Sequence, residues 1–218
     1  MRIFLRPAPL RAFVVALAGL LAGAPARAED FQLDDVSVAA PFGSYRAKRI
    51  EIFGSPLTKD AAQKLLSPAT PGSGEEKSAQ LEAARIVIPE LIAESRAGDY
   101  EQTAIYRDVA MSKVVKGVAE TVEIAGAEIK ARRAGVANRG KLGAIRGEGV
   151  DFPALLRMTS AARADPGETK KITTRKMSIA GVEIEIDGGG RLSVGAIDGQ
   201  DFGGRPLAAP LAGLSCRA

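Results

Sequence analysis

The chain contains no histidine and no tryptophan, and its single cysteine is Cys216. Without histidine there is no Ser-His-Asp or Cys-His nucleophile system, no His-ligated zinc and no haem held by an axial His. One cysteine cannot build a thiolate cluster for zinc or iron–sulfur, nor an intramolecular disulfide. Cys216 reads as an incidental residue of the C-terminal tail.

Other chemistries also lack their parts. No serine stands three residues before a lysine. Ser44 with Lys48, and Ser55 with Lys59, are four apart in segments that read as strand or turn, so a serine–lysine dyad is missing. Ser193 misses a G-x-S-x-G elbow by one position, and no glycine-rich run ends in Gly-Lys-Ser or Gly-Lys-Thr. A calcium loop needs more oxygen ligands than Asp198 and Asp201 offer. The sequence therefore implies no metal and no cofactor. Outside the first 28 residues the aromatics (Phe31, Phe42, Phe53, Phe152, Phe202, Tyr45, Tyr100 and Tyr106) are scattered, which disfavours base- or sugar-stacking platforms.

Lys and Arg number 30 against 26 Asp and Glu, a formal net charge of +4. Arg2, Arg6, Arg11 and Arg27 supply that excess, and no acid lies before Glu29. The rest of the chain is balanced, so charge gives no reason to invoke nucleic acid. Residues 1–28 have the form of an export signal: a cationic start, an apolar run from Ala12 to Ala24, and Ala26 and Ala28 as the small-x-small triplet, with cleavage before Glu29. The run is shorter than the roughly 20 residues of a spanning helix, and later apolar stretches are broken by a charge or a proline. The expectation is an exported protein, periplasmic in a Gram-negative cell, with no transmembrane span after cleavage.

What remains is long enough to bury roughly 70% of its unfolded surface around one core. Period-two alternation dominates it: Val36/Val38, Ile50/Ile52, Val109/Met111, Val122/Ile124, Met177/Ile179, Val182/Ile184/Ile186 and Leu192/Val194 alternate with polar or small partners. These are half-buried antiparallel strands. Turns are expected at 41–44, at Lys116-Gly117 and at Gly188-Gly189-Gly190. Arg85–Ile92 reads as an edge or bulged strand because Pro89 lacks a ladder donor. Helices are predicted after Thr58 and after Asp151, each with its cap, and residues 75–84 form a third helix or run into the Arg85 strand. The fold class is α+β: an antiparallel β-hairpin meander over residues 29–218 with two or three short helices on one face. A loose strand-turn-strand echo links residues 33–54 and 106–126, with a fainter copy at 176–198; a repeat and a chance match between hairpins explain it equally well.

Tyr106-Arg107-Asp108-Val109, Ile86-Val87-Ile88-Pro89-Glu90-Leu91 and Val150-Asp151-Phe152-Pro153-Ala154-Leu155 resemble segments of a family of exported alphaproteobacterial proteins of unknown function. The resemblance spans most of the chain after the leader and implies no activity. Members of that family continue with further strand pairs past the position of Asp201, which makes this chain similar to a shortened member.

Two groups of residues carry candidate chemistry. Lys130, Arg132, Arg133, Arg139, Lys141 and Arg146 occur with no acid between Lys130 and Arg146, a patch for an anionic envelope partner or a charged strand edge that blocks aggregation. Glu183, Glu185, Asp187, Asp198 and Asp201 are the acids from which a carboxylate-dependent hydrolase would draw its pair, although Glu183, Glu185 and Asp187 share one face as a solvated strand requires. The leading expectation is a non-enzymatic periplasmic binding or scaffold protein whose partner is an envelope protein, a lipid or an anionic envelope component. The alternatives are that hydrolase, and an incomplete fragment of a longer envelope protein.

Overall fold

The structure, a computed structural model, describes residues 28–40, 43–159, 165 and 167–205. Residues 1–27, with most of the leader and Ala26, lie outside the described residues, as does Cys216. The described chain is β-rich rather than α+β. Twelve antiparallel strands form one sheet: β1 (Glu29–Ala40), β2 (Gly43–Ser55), β3 (Ala83–Ala97), β4 (Tyr100–Val115), β5 (Val118–Ile124), β6 (Gly126–Arg133), β7 (Val136–Leu142), β8 (Ile145–Asp151), β9 (Lys171–Ile179), β10 (Val182–Ile186), β11 (Gly190–Val194) and β12 (Ile197–Gly204).

Register reduces these twelve to eight long strands laid side by side in chain order. β4 pairs β5 through Val115↔Val118 and β6 through Tyr100↔Arg133, so β5 and β6 are two halves of one strand. β7–β8, β9–β10 and β11–β12 are halves in the same way, since Ile145↔Ile179 and Leu142↔Val182 preserve one register across the break, as do Ile179↔Ile197 and Val182↔Val194.

The break has a sequence signature. Along each long strand apolar residues alternate, and at one level the interval lengthens from two residues to three: Leu33/Val36, Ala47/Ile50, Ile88/Leu91, Tyr106/Val109, Ile124/Ala127, Leu142/Ile145, Ile179/Val182 and Val194/Ile197. These doublets oppose one another from strand to strand, as Leu33↔Ile50, Ile88↔Val109, Ala127↔Leu142 and Ile145↔Ile179 show. Residues three apart on a straight strand face opposite sides. Yet Leu33, Ala47, Ile50, Ile88 and Val109 are all in the core, and Val36, Leu91, Tyr106 and Ile124 pack against it. The backbone must leave the regular pleat between the two members to keep both on the core face, and it does so in paired strands alike, so the register is unbroken. It does so with φ of 52° at Asp35, 49° at Asp108 and 108° at Gly181. In the last four strands the intervening pair is Ala125-Gly126, Gly143-Ala144, Ala180-Gly181 and Gly195-Ala196. Small residues are needed where backbones approach: a Cβ on Gly143 would lie 2.3 Å from the Ala180 carbonyl oxygen.

Pro89 fits this arrangement. Arg85–Ile92 is interior, between β2 and β4, so the edge reading is corrected; the missing amide falls at the bend, where β2–β3 pairing lapses between Arg46↔Ile92 and Glu51↔Val87. The helices lie in the two connections at one end of the strands. α1 (Lys59–Leu66) is capped by Thr58, whose hydroxyl accepts from the Ala61 amide at 3.2 Å, and it buries Ala62 against β1. α2 (Gly74–Ser78) is one turn with a Ser73/Glu76 capping box, and the chain is already strand by Ala83. α3 (Phe152–Thr159) starts from Asp151, whose carboxylate accepts from the Ala154 amide at 2.8 Å, and it packs on α2 and β9. The echo's three copies turn at alternating ends of the sheet, and what its anchors share is the bend, where Asp35 and Asp108 both have positive φ.

Candidate functional site

Register disperses the basic stretch that is contiguous in sequence. Lys130 on β6 faces Arg139 on β7, and Arg132 lies one step nearer the β6–β7 turn, opposite Ala137. With Ser44, Glu94, Arg96, Glu101 and Thr103 they border a depression of about 740 Å³ on the polar side of the sheet. Its two acids are already committed: Glu94 pairs with Arg46, and Glu101 with Arg96. Lys130, Arg132 and Arg139 are exposed and have no carboxylate within 4 Å among the described residues, which leaves three cations along one wall of a concave surface. Such focused positive potential attracts anions and is screened by salt over about 8 Å at physiological ionic strength.

The other three cations stand elsewhere. Lys141 lies opposite Glu128 on one side and Glu183 on the other, an alternating-charge row. Arg133 ends β6 beside the turn. Arg146 is beyond the bend, paired with Glu123 and 4.0 Å from Glu148. The six-residue patch thus contracts to three residues.

The candidate hydrolytic acids are also dispersed. Glu183 and Glu185 are exposed on β10, with Glu183 at 3.4 Å from Arg191 and Glu185 opposite Arg139. Asp187 is exposed in the following turn; Asp198 and Asp201 are exposed on β12, and Asp198 borders a separate depression with Arg146 and Lys176. No group of three or more metal-competent side chains is found among the described residues.

The opposite face is apolar in every strand, but its cover thins from one edge to the other. On one side of the bend, Leu33, Ile50, Ile88 and Val109 are 1 to 9% exposed, Ile124, Ile145 and Ile179 are half-buried, and Ile197 reaches 38%. On the other side, Ala47 and Ala127 are buried while Val194 is 37% and Leu192 53% exposed. The alternation of β10 and β11 predicted a buried face, and nothing in those strands alone shows that the helices pack against β1, β5 and β9 instead.

Two further features escaped sequence reasoning. Tyr106, on the apolar face, has its phenol pKa raised by burial, with the nearby Tyr45 adding to it. Arg157, in the last turn of α3, is a charged hub with Glu168 at 2.8 Å, Asp165 at 3.3 Å and Glu75 at 4.0 Å. The Glu168 carboxyl is held below the usual range first by the Asp165 amide it accepts from at 2.9 Å, then by the charge and hydrogen bond of Arg157, against the opposing effect of desolvation. Both are explained by packing and helix anchoring. No helix among the described residues is long and apolar enough to cross a membrane.

No family model, no curated protein and no solved structure matches this chain.

Proposed function

We propose that the protein is an exported, non-enzymatic binding protein of the cell envelope that takes an anionic envelope component into the depression bordered by Lys130, Arg132 and Arg139. The observation that carries this reading is the set of three exposed cations without carboxylate partners among the described residues on one concave surface, whose own acids are neutralised by Arg46 and Arg96. The export reading rests on the form of residues 1–28. A second reading, in which acyl chains are held, is favoured by the exposed Leu192, Val194 and Ile197 on the other face.

Sedimentation with vesicles tests both. Protein from Glu29 onward should sediment with vesicles rich in phosphatidylglycerol and not with phosphatidylcholine, and the binding should weaken steeply between 50 and roughly 200 mM salt. Exchanging Lys130, Arg132 and Arg139 for Gln should lower that binding at least about tenfold, on the basis of about 1 kcal/mol for each cation near an anionic surface. Equal binding by the triple variant would remove the proposal. Salt-independent binding to neutral vesicles that Leu192→Asp abolishes would replace it with the acyl-chain reading.

A further inference from the structure

Among the described residues one edge of the sheet is open along β11 and β12, since β11 is hydrogen-bonded only to β10 and β12 only to β9. An unpaired edge is a template for another strand, and this one has exposed Leu192, Val194 and Ile197 on its apolar face. The glycines of the bend show what the template is shaped for. A Cβ on Gly126 would lie 3.0 Å from the Leu142 carbonyl oxygen, one on Gly143 2.3 Å from that of Ala180, and one on Gly181 3.0 Å from that of Gly195. In each case the obstacle is the backbone of the next strand outward. Gly195 stands at the same level of the last long strand, yet a Cβ there would meet nothing within 4 Å among the described residues. The smallest residue is kept at a place where the described chain supplies no neighbouring backbone.

We infer that the occupant of this edge is the same edge of a second copy, related by a two-fold axis through the bend. From strand to strand the sheet sets apolar doublet against apolar doublet. Val194/Ile197 satisfies that rule with itself: run antiparallel, Val194 opposes the second copy's Ile197 and Ile197 opposes its Val194, as a two-fold interface requires. Gly195 then opposes Ala196, two small residues where backbones approach. The same register sets Ser193 against Asp198 and Arg191 against Gln200, all four exposed, and leaves Arg191 one diagonal step from the second copy's Asp198, within reach of a long side chain. Symmetry produces that opposite-charge pair twice. The other edge is unsuited to such pairing. β1 carries Glu29, Asp30, Asp34 and Asp35 and no base, and its doublet Leu33/Val36 laid on itself would set Asp34 against Asp35 twice. The buried core of each copy belongs to β1–β5 and α1, so each copy folds alone and the pairing is reversible by dilution. Arg139 of the cationic depression is on β7, two strands inward from β11, so the pairing stands or falls independently of the proposed function.

Disulfide trapping tests the register. In a Cys216→Ser background, chains from Glu29 to Ala218 carrying Val194→Cys are mixed with chains carrying Ile197→Cys. Directly opposed residues have Cα atoms about 4.5 to 5.5 Å apart, within disulfide range, whereas two copies of position 194, or two of position 197, are offset by about 10 Å along the strands. The mixed 194–197 dimer should form on the order of tenfold faster than either like pair. Sedimentation equilibrium on the unsubstituted chain should show monomer and dimer in exchange. Arg191→Asp or Asp198→Arg alone should weaken the dimer about threefold or more, and the two together should restore it. The two positions are more than about 20 Å apart along one strand, so that rescue comes only from across the interface, and it keeps the test open if a cysteine variant does not fold. A chain that stays monomeric up to about 1 mM, or equal rates for like and mixed cysteine pairs, would overturn the proposal. A ladder of larger oligomers, the mark of β1 seated head to tail on the open edge, would overturn it as well.

Discussion

Replacing Gly143 by alanine adds one methyl group at the bend, and the structure fixes what it meets. The new Cβ would lie 2.3 Å from the Ala180 carbonyl oxygen and 2.9 Å from its carbon, both of them backbone atoms. Relief requires β7–β8 to move away from β9–β10. That strains the bonds from the Gly143 amide to the Gly181 carbonyl at 2.9 Å and from the Ala180 amide to the Ala144 carbonyl at 2.8 Å. Loss of one or two backbone hydrogen bonds at about 0.5 to 1.5 kcal/mol each, plus about 1 kcal/mol of overpacking, gives a destabilisation of about 2 to 4 kcal/mol. With a urea slope near 2 kcal/mol/M, the midpoint should fall by about 1 to 2 M. Far-UV circular dichroism during a urea titration measures this, with Gly195→Ala as control. Gly195 occupies the same level in the last long strand, has ordinary φ and has nothing within 4 Å of its would-be Cβ, so that change should be neutral or stabilise by up to about 1 kcal/mol. A Gly143→Ala midpoint within about 0.2 M of the parent would refute the close approach on which the bend rests.

Other consequences follow from the same geometry. Ile52→Ala, at 2% exposure, should destabilise by about 2 to 5 kcal/mol, whereas Leu192→Ala, at 53%, should change stability by less than about 1 kcal/mol in the same titration; similar values would deny the one-sided cover of the sheet. Tyr106 should ionise above the usual tyrosine range in an alkaline absorbance titration. Because the unfolded phenol ionises first, its contribution should be full below about pH 10 and decline as pH rises through that value; Tyr106→Phe should remove that part of the alkaline instability. Glu168 has the opposite sign. Its lowered pKa stabilises the fold above the unfolded value near 4.3, and the effect is lost as pH falls through the folded pKa. The urea midpoint of Glu168→Gln should therefore trail the parent at pH 7 and converge with it in acid; a constant gap would indicate a role other than the carboxylate's charge.

Local structure was legible wherever one residue type enforces it. Thr58 and Asp151 cap helices that begin where their side chains say, and Lys116-Gly117 turns with φ of 49° and 74°. The long strands were legible only in halves. Val36/Val38 and Leu192/Val194 alternate visibly, but the three-residue interval at each bend looks like the end of a strand. Gly143-Ala144 in particular reads as a loop until β6 and β10 are seen to hold Leu142 and β9 to hold Ile145. Pro89 pointed to a bulge or an edge because a lone strand cannot reveal how many neighbours it has. The candidate site was legible as charge and not as geometry: nothing local says that Lys130 faces Arg139, or that Arg146 lies past the bend in an ion pair.

Cross-strand nuclear Overhauser effects in methyl-labelled protein test the folded sheet most directly. Contacts are expected along two rows, Ile124–Ile145–Ile179–Ile197 and Ala127–Leu142–Val182–Val194, with both rows also in contact across the bend because they share one face. Rows shifted by one residue between the two sides, or no contact between Leu142 and Ile145 methyls, would mean straight strands with these residues on opposite faces, and would contradict that.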